Sequence, residues 1–404
     1  MIKNDKNKKK KWMRPRHRLV RNILNVTLGA YTRVKYGIKV EKFKEQEKRP
    51  YLILMNHQTA FDQFFVGLAF KGAVYYLASE DIFSKGWISS LIRYLVAPIP
   101  IKKQASDSRA VINCIKVAKE GGTIAMAPEG NRTYSGKTEY INPAVAGLAR
   151  ALKLPIALFR IEGGYGVQPR WSDVIRKGRM RAYVSRVIEP EEYASLSADE
   201  LCEVIRDGLF VDEGSADSQF FHKNAAEYLE RAVYYCPFCG LSEFESKKDT
   251  VTCLKCGRSV RYLPSNELEG IGFDFEYRFM TQWYDAQSAF MNSLDTRSYT
   301  DTPLFTDTAD LSEVIPYKKK RLIAEGVPLS LFGDRIELSS GESFDFTQLS
   351  AVTVLGRNKV NIYRDKQIFQ LKGSVRFNAL KYVHTFYRFT NISKGDADAK
   401  FLGL

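Results

Sequence analysis

Tyr51–Asp62 reads YLILMNHQTAFD, and the change of chemistry halfway along it decides the fold. Five apolar residues, Tyr51–Met55, make a run too short for a helix and unbroken by polar groups, the pattern of a strand buried on both faces. The run stops at Asn56-His57-Gln58-Thr59, and Phe64–Phe70 then takes a helical pattern. A strand that ends in a polar turn and enters a helix is the unit of a parallel α/β sheet, and its turn can face a cleft. His57 and Asp62 stand five positions apart, about 140° round a continuous helix. They pair only if His57 sits in the turn and Asp62 in the first turns of the helix. There the carboxylate would fix the imidazole tautomer and leave the second nitrogen as a base.

The same alternation continues outward. Ala73–Leu77, Thr123–Ala127 (TIAMA) and Ile156–Phe159 (IALF) read as further strands, with helices at Ile88–Leu95 and Arg109–Lys119. The expectation is an α/β domain with a largely parallel core. Two more strand ends carry polar groups. Ala97–Lys103 (APIPIKK) closes on two cations, and Ala127–Thr133 (APEGNRT) places Glu129 and Arg132 beside Gly130, which permits a tight turn. A guanidinium there is able to grip phosphate with two parallel hydrogen bonds. No GxSxG nucleophile motif occurs, so a directly attacking substrate is the simpler chemistry.

Four ordered blocks, NHQTAFD, APIPIKK, APEGNRT and Leu154–Leu158 (LPIAL), together resemble the phospholipid/glycerol acyltransferase family, over about residues 39–211. The resemblance implies that His57 removes a proton from an acceptor hydroxyl and that Asp62 orients it. It implies acceptor binding by Lys102, Lys103, Glu129, Gly130 and Arg132. It further implies an acyl-CoA or acyl carrier protein donor, a lysophospholipid acceptor such as 1-acyl-sn-glycerol 3-phosphate giving phosphatidic acid, and no cofactor for catalysis. Glycerol 3-phosphate or another lysolipid is the alternative acceptor. Lys102 and Lys103 stand where the family usually has Arg, and Asn131 where it usually has Thr. Ile141–Ala144 and Gly147 replace a common Lys-Gly and Arg, which leaves the acceptor open.

The 404 residues carry a formal charge of +15, of which residues 1–50, with 17 Lys/Arg and 4 Asp/Glu, hold +13. Behind the Lys-rich start, Val20, Ile23, Leu24, Thr27, Leu28, Tyr31 and Val34 recur with helical period. A basic amphipathic helix suits an anionic membrane surface. Neither a signal peptide nor a transmembrane helix is expected, since no apolar run has the length or the flanks of either. The expected location is therefore the cytoplasmic face of a membrane, peripheral or monotopic. The charge map disfavours nucleic acid, so no nucleic-acid partner is expected. A catalytically silent membrane scaffold and a nucleic-acid-binding zinc-ribbon protein are the readings from other classes.

Cys236, Cys239, Cys253 and Cys256 form two C-x-x-C-G turns thirteen residues apart, the spacing of a small four-cysteine zinc ribbon with a structural Zn²⁺. Further on, Phe273–Leu294 reads as a helix and Arg297–Asp307 as a linker. Seven short strands then follow, at Arg321–Glu325, Leu329–Phe332, Arg335–Ser339, Ser343–Phe346, Ala351–Leu355, Lys359–Tyr363 and Gln367–Leu371. A helix at about Phe377–Phe389 closes this C-terminal part, which is mainly β and resembles a PH/GRAM module. The expected divisions are a basic tail and helix (1–38), the acyltransferase domain (39–230), the ribbon (231–262), helix and linker (263–310) and the β domain (311–395).

Overall fold

The computed structural model describes residues 11–45, 49–83, 86–101, 108–215, 218–315, 320–399 and 401–403. Its first half is built on a seven-stranded sheet. The strands are β1 (Ile38–Val40), β2 (Leu52–Met55), β3 (Val74–Ser79), β4 (Ile99–Ile101), β5 (Thr123–Met126), β6 (Ile156–Glu162) and β7 (Met180–Ile188). Their order is β1-β7-β6-β2-β5-β3-β4. Every neighbouring pair is parallel except β6 with β7. β2 is central, which is why its side chains are apolar without alternation. Leu52 and Leu54 pack on one face with Cys114, Val117 and Leu148. Ile53 and Met55 pack on the other with Phe65, Val66 and Phe159. The expected strands and helices of this half are present. β1, β7 and the helices Ala144–Leu152 and Ala198–Leu209 add to them.

The C-terminal half holds a seven-stranded antiparallel sheet. Its order is Ser343–Asp345, Arg335–Leu338, Arg321–Leu331, Phe305–Glu313, Gln367–Gly373, Lys359–Arg364 and Ala351–Leu355. The two end strands do not pair, so the sheet is a half-barrel, and the helix Leu380–Ser393 packs on it. Strand number agrees with the sequence reading, but strand identity does not. Arg321–Glu325 and Leu329–Phe332 belong to one continuous strand. Gly326, between the two expected strands, takes a left-handed conformation within the ladder and donates to Asp310 beside a register shift. The seventh strand is Phe305–Glu313, which begins inside the expected linker. Phe305, Ala309 and Leu311 point inward, while its Thr and Asp residues had the look of a turn.

The two halves share one core. Tyr134, Tyr165 and Trp171 from the first half cluster with Val251 and Val260 of the cysteine region and with Val352 and Phe377 of the half-barrel.

The first helix, α1 (Pro15–Tyr36), starts with Pro and stops at Gly37 in the left-handed region, as helix ends favour. Its packing is inverted. The inward face is polar or small: His17 Nδ1 meets Tyr75 Oη at 3.1 Å, and Arg21 and Asn25 donate to Gly67 O at 2.9 Å. Gly29 lies so close to Leu68 that a Cβ would stand 2.9 Å from it. Leu19, Ile23, Val26, Tyr31 and Val34 are exposed, Val34 at 87%. Beyond α2 (Asp62–Ala69), the neighbouring helix α3 (Trp87–Val96) exposes Trp87, Ile88, Leu91 and Tyr94. Arg16 joins the two helices, donating to Tyr94 O at 2.8 Å with its guanidinium 4.0 Å from the Tyr94 ring. No described helix is long and apolar enough to cross a membrane.

Candidate functional site

The turn after β2 is held by one carboxylate. Asp62 is the first residue of α2 and is fully buried. Its Oδ2 accepts from Gln58 N at 2.7 Å and from His57 Nδ1 at 2.8 Å. Its Oδ1 accepts from Thr59 N at 2.9 Å and Thr59 Oγ1 at 2.6 Å. The anion also sits at a helix N-terminus, where it is favoured. Because the carboxylate only accepts, the His57 proton resides on Nδ1 and Nε2 is the basic nitrogen. The His57 side chain is one-quarter exposed, so the base is reachable from solvent.

Two neighbours were not legible as site residues. Asn56 is buried and spans to β6, accepting from Ile161 N at 2.7 Å and donating to Ile161 O at 2.8 Å. Gln58 Oε1 accepts from Tyr165 N at 3.1 Å. The available signal was their polarity, three amide or hydroxyl residues directly after an apolar strand.

The turn after β5 stands against the first. Thr133 N donates to His57 O at 3.2 Å. Gly130 has φ +72° and closes a turn through Gly130 N to Ala127 O, 3.1 Å. Glu129 does not reach Arg132. Its Oε1 accepts from His57 N at 2.7 Å and its Oε2 from Glu139 N at 3.1 Å. Burial pushes its carboxyl up to about 8. Arg132 keeps its guanidinium near Asp62, but Nη1 is shut off from solvent without a hydrogen-bond partner. Burial, and then Arg170 and Arg357, push its pKa down to about 10. Lys102 and Lys103 lie outside the described residues.

The arrangement offers an oriented imidazole base, a buried carboxyl that anchors its backbone, and a largely buried guanidinium in electrostatic reach of Asp62. Residues 37–161 match the family model described as "Acyltransferase". That match covers under a third of the chain. A curated relative, the 1-acyl-sn-glycerol-3-phosphate acyltransferase of Bacillus subtilis (strain 168), is 21% identical over 136 residues. That alignment covers 34% of this chain and 65% of the relative, so the chain spans just under two thirds of the relative's length. A solved structure, the 1-acyl-sn-glycerophosphate (LPA) acyltransferase PlsC from Thermotoga maritima, is 20% identical. It aligns with a TM-score of 0.40 over 48% of this chain and 80% of that one.

Outside the matched segment, the thiols of Cys236, Cys239, Cys253 and Cys256 lie within 4.8 Å of one another. Cys236 Sγ and Cys256 Sγ are 3.9 Å apart. A tetrahedral ion with Zn–S bonds of about 2.3 Å requires sulfurs about 3.8 Å apart, so the donor set fits a four-thiolate metal site. The short strands Tyr235–Cys236 and Gly240–Leu241, and Thr250–Cys253 with Ser259–Tyr262, carry the two turns.

Behind the site, Glu213 is buried, with Oε1 accepting from Gly163 N at 2.7 Å and Oε2 unpartnered. Burial pushes its carboxyl up to about 8, against an ordinary value of 4.5. The folded state therefore binds this proton more tightly than the unfolded state, and the stabilisation is lost as pH rises toward the folded value. Glu213→Gln keeps an acceptor for Gly163 N and removes the titration. Its melting temperature, relative to wild type, is expected to gain steadily from pH 5 to about 8, followed by thermal unfolding. A parallel pair of pH profiles contradicts a protonated Glu213.

Proposed function

We propose that this protein is a membrane-associated O-acyltransferase that moves a fatty acyl group from acyl-CoA or acyl carrier protein to the hydroxyl of a lysophospholipid. The acceptor we assign is 1-acyl-sn-glycerol 3-phosphate, and the product is phosphatidic acid. One observation carries the reading: Asp62 and Glu129 fix the His57 side chain and backbone on the turn that Thr133 ties to Arg132. His57 Nε2 takes the proton from the acceptor hydroxyl, and the oxygen attacks the thioester carbonyl. The tetrahedral intermediate collapses with loss of the thiolate, which recovers the proton from His57. Arg132 grips the acceptor's phosphate through a charge-assisted pair of hydrogen bonds. Glycerol 3-phosphate has the same phosphate and hydroxyl and remains the alternative acceptor.

Mass spectrometry of lipid products tests this. His57→Ala is expected to lose about 10²–10⁴ in rate, the contribution of a placed base. A folded His57→Ala protein acylating at wild-type rate sinks the assignment.

The apolar faces of α1 and α3, flanked by Arg18, Arg33 and Arg93, support a peripheral or monotopic position on an anionic membrane, at its cytoplasmic face. Val26→Asp together with Trp87→Asp is expected to weaken co-sedimentation with phosphatidylserine-containing vesicles by about tenfold or more, since each buried side chain contributes about 1.5–3 kcal/mol. Equal sedimentation excludes this face as the contact.

We assign the four thiols to a structural Zn²⁺. All four donors are Cys, so the ion closes the ribbon and takes no part in transfer. Elemental analysis is expected to give one zinc per chain, lost in Cys253→Ser; a metal-free, folded wild-type protein excludes it. The half-barrel with its closing helix we read as a PH/GRAM-like module.

A further inference from the structure

The half-barrel reaches into the acyltransferase domain with one hairpin. Between the strands Ala351–Leu355 and Lys359–Arg364 stand Gly356, Arg357 and Asn358. Gly356 has φ +64°, which a tight reversal requires. Asn358 Nδ2 donates to Gly373 O and Ser374 O, both at 3.0 Å, and so fixes the tip. From the other side, buried Arg170 bonds to both partners. Its Nη1 donates to Arg132 O at 2.8 Å, and its Nε and Nη2 donate to Gly356 O and Val354 O at 3.4 Å. One side chain thereby locks the hairpin tip to the APEGNRT turn.

This lock places unsatisfied donors together. Arg132 Nη1, Arg357 Nε and Tyr134 Oη are each shut off from solvent without a hydrogen-bond partner. Tyr134 is 1% exposed and lies under the Arg170 guanidinium, 4.5 Å from it. Arg132 makes no ion pair among the described residues. Arg357 Nη1 pairs with Asp173 at 2.8 Å, but Asp173 also pairs with Arg231 at 2.9 Å. Buried donors in native proteins are nearly always bonded, and a guanidinium left short of acceptors is costly. Arg170 and Arg357 both lie in electrostatic reach of Arg132 and make the deficit larger, because like charges repel. A ligand with several acceptor oxygens and two negative charges answers both needs.

We propose that Arg132, Arg357 and the Tyr134 hydroxyl form a composite site for a phosphomonoester dianion, so that the half-barrel supplies a cation to the acceptor pocket. This rests on the assignment of Arg132 to the acceptor phosphate. It makes the C-terminal domain part of substrate recognition. It also places a cation near the pocket where Ile141–Ala144 and Gly147 provide none.

The test uses the full chain without acyl donor. Inorganic phosphate and soluble 1-hexanoyl-glycerol 3-phosphate are titrated calorimetrically into wild type, Arg132→Gln and Arg357→Gln. Arg357→Gln is expected to weaken both ligands by about tenfold, and Arg357→Lys, which keeps the charge and loses the fork, by about threefold. In turnover, the acceptor KM is expected to rise by a similar factor with kcat and the donor KM unchanged, a split that general loosening of the domains does not produce. If Arg357→Gln is poorly folded, Arg357→Lys alone decides. The lipid binding more tightly than inorganic phosphate supports the site as a headgroup pocket, and the reverse order supports it as a free-phosphate site. Unchanged affinities for both ligands, or no binding of either by wild type, overturn the proposal. Acyl transfer that persists with an unaltered acceptor KM in Arg357→Gln overturns it while sparing the acyltransferase reading. Arg357-dependent phosphate binding without any acyl transfer leaves this site standing and removes that reading instead.

Discussion

The buried carboxylate of Asp62 is the constraint from which the first half of the molecule is organised. An isolated anion with no exposure is costly, and removing a partner from such a charge typically costs about 3–5 kcal/mol. Here the cost is offset by backbone donors from Gln58 and Thr59, the Thr59 hydroxyl and the His57 imidazole. These bonds fold residues 57–62 back on themselves at the start of α2. They leave the imidazole only one orientation in which its other nitrogen can act. The same six residues therefore terminate β2, start a helix and aim the base. Structure and chemistry here cannot be varied separately.

Glu129 performs the matching task from β5. Both of its oxygens are taken by backbone N–H groups, His57 N and Glu139 N. A side chain that holds two segments of main chain fixes a distance between strand ends, which a surface ion pair with Arg132 would not. Arg132 is thereby left without an acid partner among the described residues, and a guanidinium in that condition is available to a ligand. Arg170 and Arg231 extend this logic beyond the domain. Arg170 binds carbonyls of the half-barrel, and Arg231 binds Trp171 O, Asp173 and Val375 O. Charged side chains satisfied by carbonyls from both halves, over a common aromatic core, join the halves more firmly than surface ion pairs do.

Much of this is legible in the sequence alone. The unbroken apolar run at Tyr51–Met55, the five-residue spacing of His57 and Asp62, and the paired C-x-x-C turns each follow from local chemistry acting over a few residues. What stayed hidden depends on tertiary placement. Glu129 and Arg132 stand close in sequence, and no local spacing reports that Glu129 accepts from His57 N on another strand end. The strand Phe305–Glu313 begins inside the polar, turn-rich stretch Arg297–Asp307 that reads as a linker, and the alternation of Phe305, Ala309 and Leu311 becomes a strand only with a sheet to receive it. Arg357 is more than two hundred residues from Arg132, and no spacing rule reports a contact made by domain packing.

The orientation of α1 shows where periodicity stops being informative. Its sequence has one apolar stripe, and the ordinary expectation is that such a stripe faces the core. Helix α2 and Tyr75 of β3 instead receive His17, Arg21, Asn25 and Gly29, each used for a hydrogen bond or a close approach. Rotating the helix to bury Ile23, Val26 and Val34 would strand Gly67 O, which accepts from both Arg21 and Asn25, and unmade buried bonds cost about 1–3 kcal/mol each. The protein thus uses polar contacts to hold the helix with its apolar face outward, beside the equally exposed Trp87, Leu91 and Tyr94 of α3. Exposed apolar surface scattered singly needs no explanation, but a contiguous face that polar bonds keep exposed has been positioned. For a catalyst of the kind proposed here, with a lipid acceptor and a fatty acyl donor, the acyl chains provide a chemistry that such a face would meet.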